Sequence, residues 1–168
     1  MRRSTPAVLV FVITTALALL AVAVSVVLLP ARVPTHFGAD GAADDWGTRT
    51  GAVAFQAVIT AGTGALFAAL ARWVPTLPWE WINLPGKQRW ADRGLQGEVR
   101  RRLRTDLLWM GSPMALLNLA LTSSVVDAAR SGTDSLPWWF FLAFGGWLVA
   151  MTAYVVFTCT VRYRLPER

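Results

Sequence analysis

Four long runs without a charged residue alternate with polar connections along the chain. They cover residues 7–29, 51–71, 107–126 and 136–161. Outer helices of a soluble bundle carry a polar face toward water, and these runs show no such face. About 20 apolar residues in an α-helix, at ~1.5 Å each, cross a hydrocarbon core of ~30 Å. The pattern therefore predicts an all-α membrane protein with four transmembrane helices.

The predicted boundaries divide the chain, residues 1–168, into the helices and loops of a single domain. The helices span about residues 7–29, 51–72, 106–126 and 137–161. The connecting loops are residues 30–50, 73–105 and 127–136. The first apolar run is longer than the ~7–15 residues of a typical secretory signal core, and LLPARVP is not a convincing cleavage site. We therefore interpret this run as a retained helix.

The distribution of lysine and arginine predicts the orientation. The two termini and loop 73–105, together with Arg72 directly before that loop, hold 13 of the 16 basic residues, and loops 30–50 and 127–136 hold three. Because basic residues are retained on the cytoplasmic side, both termini and loop 73–105 are expected there, and the other two loops outside. The many arginines beside a single lysine, Lys87, indicate a GC-rich bacterial genome. The expected location is the bacterial plasma membrane, which the chain crosses several times.

Small and polar residues mark the predicted packing faces of the helices. Because lipid is as apolar as leucine, membrane helices associate through close backbone approach and a few polar contacts. Pro113 is expected to kink the third helix, and Asn118 to hydrogen-bond to a neighbouring helix near mid-membrane. Small residues recur at every fourth position on the second and fourth helices, and these stripes predict contacts within the bundle or between copies in a homo-oligomer. The residues are Ala57, Ala61, Ala65, Ala69, Gly146 and Ala150.

The polar stretch PTHFGADGAADDW, residues 34–46, raises the question of a metal or catalytic site. It contains the only histidine, His36, but zinc sites normally draw several His or Cys ligands. The lone cysteine, Cys159, belongs to the last apolar run, and the aspartate spacing differs from a calcium-binding loop. No nucleophile motif accompanies the histidine. We therefore expect no metal, no cofactor and no enzymatic activity, and we interpret the stretch as a structured loop between two helices.

The residues of this loop carry a family resemblance. The chain has Pro30, residues 33–38 (VPTHFG), Gly41 and residues 45–47 (DWG), and a second motif in residues 83–90 (NLPGKQRW). In this order and spacing they resemble a bacterial membrane domain of unknown function, which also forms the N-terminal part of SdpI-type immunity proteins. Those proteins protect a producer from its own secreted peptide toxin and continue into further helices, whereas this chain has four apolar runs.

The resemblance implies two sets of functional candidates. The first is an external interaction loop, formed by His36, Phe37, Gly41, Asp45 and Trp46. The second is a cytoplasmic motif that could receive a protein partner, formed by Asn83, Pro85, Lys87 and Trp90. The same residues could equally serve only to fold their loops.

Charge narrows the classes of partner and function. The arginines lie at helix ends and no nucleic-acid-binding motif is present, so we expect no nucleic acid. Anionic lipid is expected near Arg100, Arg101, Arg102 and Arg104. The apolar runs hold no charged residue, which disfavours an ion-coupled transporter.

The leading hypothesis is an interaction or sensing module that responds to a toxic peptide or to envelope stress. The alternative is an accessory or assembly subunit of a membrane complex or transporter.

Overall fold

The first half of the chain forms two long helices joined by a hairpin. The structure, a computed structural model, describes residues 5–165. Helix α1 (Thr5–Leu28) leads into two antiparallel strands, β1 (Arg32–Phe37) and β2 (Ala43–Thr48), and helix α2 (Arg49–Trp73) follows directly. Thr48 caps α2, because its side-chain oxygen accepts a hydrogen bond from the backbone of Gly51 at 3.1 Å.

The second half contains a compact connection and two further long helices. The connection comprises two 3₁₀ turns (Val74–Thr76 and Trp79–Trp81) and the short helix α3 (Lys87–Asp92). Helix α4 (Gln96–Ser131) is the longest element, and helix α5 (Trp138–Phe157) ends in a π-helical turn, Thr158–Arg162. We call the end of the bundle that carries β1 and β2 the hairpin end, and the end that carries residues 73–105 the basic end.

Helix α4 lies at the centre of the bundle. Of the three other long helices, it contacts α1 most extensively, then α2, and α5 least. Residues along its whole length are buried, from Val99 near one end to Ala128 near the other. Helix α5, by contrast, has no buried residue among those described. The three helices α1, α2 and α4 therefore form the packed unit, and α5 lies against one side of α4.

The three helices approach one another closely at Gly111 of α4. A Cβ atom placed on Gly111 would lie 2.7 Å from a ring carbon of Phe11 on α1 and 3.0 Å from the Cβ of Phe67 on α2. Phe11 and Leu108 are both buried there, 7% and 5% exposed. Glycine at this position allows the backbones to approach more closely than any residue with a side chain would permit.

Within the described residues, three helical segments are long and apolar enough to cross a membrane, at Pro6–Leu28, Arg49–Thr76 and Trp138–Arg162. Helix α4 is not among them. Its central polar residues, which include Ser112, Asn118 and Thr122, are buried against the other helices. The structure thus supports a mostly helical chain with several helices suited to a membrane. The remaining predicted span, residues 106–126, lies in α4, which contacts α1, α2 and α5.

Two expectations about local structure are corrected. The chain is not purely α-helical, because residues 32–48 contain a two-stranded sheet. Backbone groups in a loop of this length need hydrogen-bond partners, and pairing the two strands supplies them. The third helix begins at Gln96 rather than near residue 106. Glu98 lies three and four residues before Arg101 and Arg102 and pairs with both, which favours helix in this segment.

The small-residue stripe of α2 is only partly used within the chain. Ala57 is half-buried, whereas Ala61, Ala65 and Ala69 are exposed. The face that packs on the bundle includes instead Thr60, Gly64, Phe67 and Ala71. On α5, Gly146 and Ala150 are exposed, and a Cβ on Gly146 would meet no atom within 4 Å. Packing between copies through these exposed residues stays a prediction.

Candidate functional site

The hairpin is an irregular antiparallel pair. Arg32 lies opposite Thr48 and Phe37 opposite Ala43, with shifts in register on both sides of His36. Such bulges twist a strand and redirect its side chains. At the turn, the backbone of Gly38 donates to the Ala42 carbonyl at 2.8 Å, and Asp40 accepts from the Ala42 backbone at 3.0 Å. The turn is therefore held by its own short polar residues.

Gly41 joins the hairpin to the loop that precedes α5. Its φ of +80° is left-handed, and a Cβ there would lie 2.7 Å from Cζ of Phe141 on α5. The Gly41 carbonyl accepts from the backbone of Leu136 at 2.8 Å, and the Ala43 backbone donates to the Asp134 carbonyl at 2.7 Å. Only glycine satisfies both the backbone angle and the close contact. The two polar loops at the hairpin end are thus bound to each other.

The five residues of the predicted interaction loop fall into different environments. His36 is exposed, and its Nδ1 lies 2.5 Å from Oδ1 of Asp44. Asp45 accepts from the Trp46 backbone at 2.8 Å, and the guanidinium of Arg32 lies 4.9 Å from the centre of the Trp46 ring. Phe37 is half-buried and Gly41 is buried. The His36–Asp44 pair therefore faces water, and Gly41 has a structural role.

A cavity of about 350 Å³ lies between the hairpin, the end of α1, the start of α2 and the last part of α4. This volume is within the range of small-ligand sites. Apolar residues make most of the wall: Leu29, Pro34, Phe37, Ala52, Val53, Phe55, Leu121 and Val125. Polar groups are few: Ser25, Thr35, Asp45, Gln56 and Thr122. The cavity thus brings Phe37 and Asp45 of the predicted loop together with residues of three helices.

Gln56 is the unsatisfied polar group of this cavity. Ser25 and Thr122 both donate to backbone carbonyls of their own helices, at 2.7 and 2.9 Å. The amide nitrogen of Gln56 is buried and has no hydrogen-bond partner among the described residues. A buried donor without a partner costs about 1–3 kcal/mol, and a guest in the cavity would offset this cost by placing an acceptor against that nitrogen.

The charges at the hairpin end define which guest would fit. Five aspartates lie there, Asp40, Asp44, Asp45, Asp127 and Asp134, against three arginines, Arg32, Arg49 and Arg130. Arg49 donates to the Leu29 carbonyl at 3.2 Å and Arg32 lies over Trp46, so two of the arginines have contacts inside the protein. The site can therefore hold an apolar group that carries a hydrogen-bond acceptor and, beside Asp45, a positive charge. Among the described residues, no group of three or more His, Cys, Asp or Glu could hold a metal ion.

The second predicted motif, at the basic end, stabilises the local fold. Trp90 is 1% exposed, and its ring nitrogen donates to the Tyr163 carbonyl at 3.2 Å. Lys87 donates to the Glu80 carbonyl at 2.8 Å. Asn83 and Pro85 are exposed. Trp90 belongs to a small core with Ile82, Leu84, Val99 and Tyr163, so this motif attaches the chain after α5 to the start of α4.

Most arginines expected to attract anionic lipid have partners inside the protein. Arg100 donates to the carbonyls of Pro75 and Leu77. Arg101 and Arg102 both pair with Glu98, and Arg102 also donates to the Arg162 carbonyl. The hydrogen bond from Arg102 is the main cause that lowers the pKa of Glu98. Arg104 is exposed. Lipid binding by this group stays a prediction.

A buried carboxylate network at the basic end was not identified from the sequence. Asp106 of α4 is 5% exposed and accepts from the hydroxyls of Tyr154 at 2.9 Å and Tyr163 at 2.8 Å. The Arg162 side chain lies 2.5 Å from the same carboxylate. Burial, followed by the charge of Asp106, raises the pKa of Tyr163. The sequence feature that could have indicated this network is the position of Asp106 at the edge of an uncharged run. From the sequence alone, that position indicates only the boundary of a helix.

Of the predicted packing residues on α4, Asn118 is buried and Pro113 half-buried. Pro113 lies inside the continuous helix α4. The Asn118 carbonyl accepts from the side chain of Thr122 at 2.9 Å. The polar contact expected of the Asn118 side chain stays a prediction.

Comparison with known proteins identifies one related segment. Residues 13–60 match the model of a family described as a domain of unknown function (DUF1648). No curated protein and no solved structure matches the chain. The matched segment runs from α1 through the hairpin into α2. It supplies 11 of the 14 residues that line the cavity, so the cavity is mainly a feature of the matched segment.

Proposed function

We propose that this chain is a four-helix protein of the bacterial plasma membrane that recognises a peptide or protein partner through the cavity at the hairpin end. The observation that carries the proposal is the apolar cavity of about 350 Å³ with an unpartnered Gln56 donor and Asp45 beside it. The partner that fits is amphipathic and cationic, a description that includes membrane-active peptides. A binding role, without catalysis, is the one that this lining supports.

The membrane arrangement belongs to the same proposal. Helix α4 would cross the bilayer as the central helix, with its polar residues turned toward α1 and α2. The positive-inside rule places both termini and residues 73–105 in the cytoplasm and the hairpin outside. The backbone pairing of the hairpin with residues 134–136 supports a common side for these two loops.

Cysteine labelling tests this arrangement. In a Cys159→Ser background, the exposed positions Ala39 and Gln88 are replaced by cysteine one at a time. We expect an impermeant maleimide to label residue 39 in intact cells, and residue 88 only after the cells are opened, because the bilayer separates the two ends of the bundle. Labelling of residue 88 in intact cells would contradict the proposed orientation.

The resemblance to SdpI-type immunity proteins suggests what recognition achieves. An outward-facing cavity that binds a toxic peptide would lower the free concentration of that peptide at the membrane or would signal its presence. We propose this toxic-peptide or envelope-stress role for the chain. It depends on the cavity being occupied by the partner, which a substitution within the cavity can test.

Filling the cavity should weaken recognition. Ala52 of α2 lines the cavity, whereas Ala54, two residues later, is exposed and does not. Ala52→Phe is expected to occupy the space intended for the guest, and Ala54→Phe adds the same side chain on another face. Partner recovered with tagged protein from detergent-solubilised membranes is measured by mass spectrometry. We expect the recovered amount to fall about tenfold or more for Ala52→Phe and to stay unchanged for Ala54→Phe. A tenfold fall in affinity corresponds to a loss of ~1.4 kcal/mol of binding free energy.

The thermal melting of both variants in detergent provides the folding control for this comparison. A correctly folded Ala52→Phe protein that retains every partner of the wild type would refute recognition through the cavity. Asp45→Asn adds a second test, because a cationic partner should be recovered less with it even though the cavity keeps its volume.

The exposed faces of α2 and α5 favour a second candidate function, that of an accessory or assembly subunit. Ala61, Ala65, Gly146 and Ala150 leave room for another membrane helix to approach. In the same pull-down, a complex that survives Ala52→Phe but is lost when Ala61 and Gly146 are replaced by leucine would favour this role.

A further inference from the structure

We infer that a polar cavity at the basic end binds the phosphate headgroup of an anionic lipid through Arg89 and Arg164. This cavity, of about 460 Å³, lies between helix α3 and the residues that follow α5. It is separate from the cavity at the hairpin end. The inference depends on insertion of the chain in a membrane but not on the partner proposed for the other cavity.

The charges of the cavity indicate an anion. Arg89 and Arg164 are both exposed and both line it. In the part of the chain that the structure describes, residues 5–165, neither has an acidic partner, unlike Arg101 and Arg102, which pair with Glu98. Two arginines that line one cavity without an acidic partner favour an anionic guest, and a phosphate accepts charge-assisted hydrogen bonds from guanidinium groups.

Part of the remaining wall is tightly packed. Trp90 forms part of the lining and is 1% exposed, fixed by its hydrogen bond to the Tyr163 carbonyl. Gly86, which also lines the cavity, has a φ of +68° and adds no side chain to the wall. A site on packed elements holds its charges in place and loses less entropy when it binds a ligand.

The position of the cavity favours a lipid over a free anion. The apolar segment that ends at Arg162 contributes Cys159 and Thr160 to the wall, so the cavity lies where hydrocarbon gives way to water. In α5 and the π-helical turn after it, Val155, Val156 and Val161 are exposed by 45%, 55% and 52%. An acyl chain can lie along these valines while its headgroup occupies the cavity. Inorganic phosphate has no part that would use this apolar surface.

The test uses the full-length protein in detergent and native mass spectrometry with added phosphatidylglycerol or, separately, phosphatidylcholine. Two double variants are compared, each with two positive charges removed at the basic end. Arg89→Gln/Arg164→Gln changes the cavity, and Arg72→Gln/Arg93→Gln changes two exposed arginines that neither line it nor belong to the group from Arg100 to Arg104.

We expect the cavity variant to lose about tenfold or more in apparent affinity for phosphatidylglycerol, and the control variant to lose much less. Phosphatidylcholine should bind weakly to all three proteins. An equal loss in both variants would overturn the site, because it would reduce the effect to net charge. Displacement of the bound lipid by an equal concentration of inorganic phosphate would overturn its assignment to a lipid. Matching melting temperatures establish that the variants are folded.

Discussion

Replacing Asp106 with alanine should destabilise the protein by about 3–5 kcal/mol, the largest effect we expect from a single truncation. The carboxylate is buried and accepts from the hydroxyls of Tyr154 and Tyr163, while the Arg162 side chain lies 2.5 Å from it. Without it, the charge of Arg162 and two hydroxyl donors remain in a poorly solvated region with no acceptor. The loss is therefore mainly the cost of unpaired groups, and only partly the loss of the original contacts.

The measurement is the free energy of unfolding in detergent, obtained by titration with denaturant. Asp92→Ala provides the control, since Asp92 is an exposed acid at the same end that accepts a single hydrogen bond from Gln88. We expect that control to change stability by less than about 0.5 kcal/mol. If Asp106→Ala unfolds like Asp92→Ala, the network does not attach α5 to α4.

The second large effect is expected at Gly111, where three helices meet. Even the first side-chain atom of a larger residue would lie 2.7 Å from the ring of Phe11 and 3.0 Å from the Cβ of Phe67. Gly111→Leu should therefore separate α1 and α2 from α4, at a cost of about 3 kcal/mol, near the upper end for overpacked sites. Gly111→Ala should cost about 1–2 kcal/mol.

Gly145 of α5 is the matched control for this substitution. A Cβ there would meet nothing within 4 Å, so Gly145→Ala should be neutral or slightly stabilising, by up to about 1 kcal/mol, through helix propensity alone. Unfolding of the three variants under the same conditions distinguishes backbone approach from helix propensity. If Gly111→Ala is as stable as Gly145→Ala, the close packing at Gly111 does not hold.

Some features of the hairpin can be predicted from the local sequence pattern, and others cannot. Residues 34–46 were interpreted correctly as a folded connection between two helices, because prolines, glycines and aspartates favour turns. Their pairing into strands was not predicted, since the shifted register leaves no clear alternation of apolar and polar residues. The contact of Gly41 with Phe141 joins positions one hundred residues apart, and no local pattern contains it.

The helix stripes show a similar limit. Alanines at every fourth position of α2 predict that this face packs against the other helices. In the structure the bundle packs on the neighbouring face of α2, which includes Thr60 and Gly64. A helix rich in small residues offers several such faces, and its partner decides among them. The basic segment before residue 106 was likewise interpreted as a loop, although its charges pair along a helix that begins at Gln96.

The amino-acid sequence alone determined that the chain is built mainly from long apolar helices and indicated where most of them end. The free energy of transferring each segment from water to hydrocarbon depends on that segment's own side chains. Charged or turn-forming residues at its two ends set the length of the segment. Tertiary structure decided which helix is central, which glycine permits close approach, and which arginines remain free to face a ligand. Those outcomes depend on side chains contributed by distant segments, so they exist only once the helices have packed together.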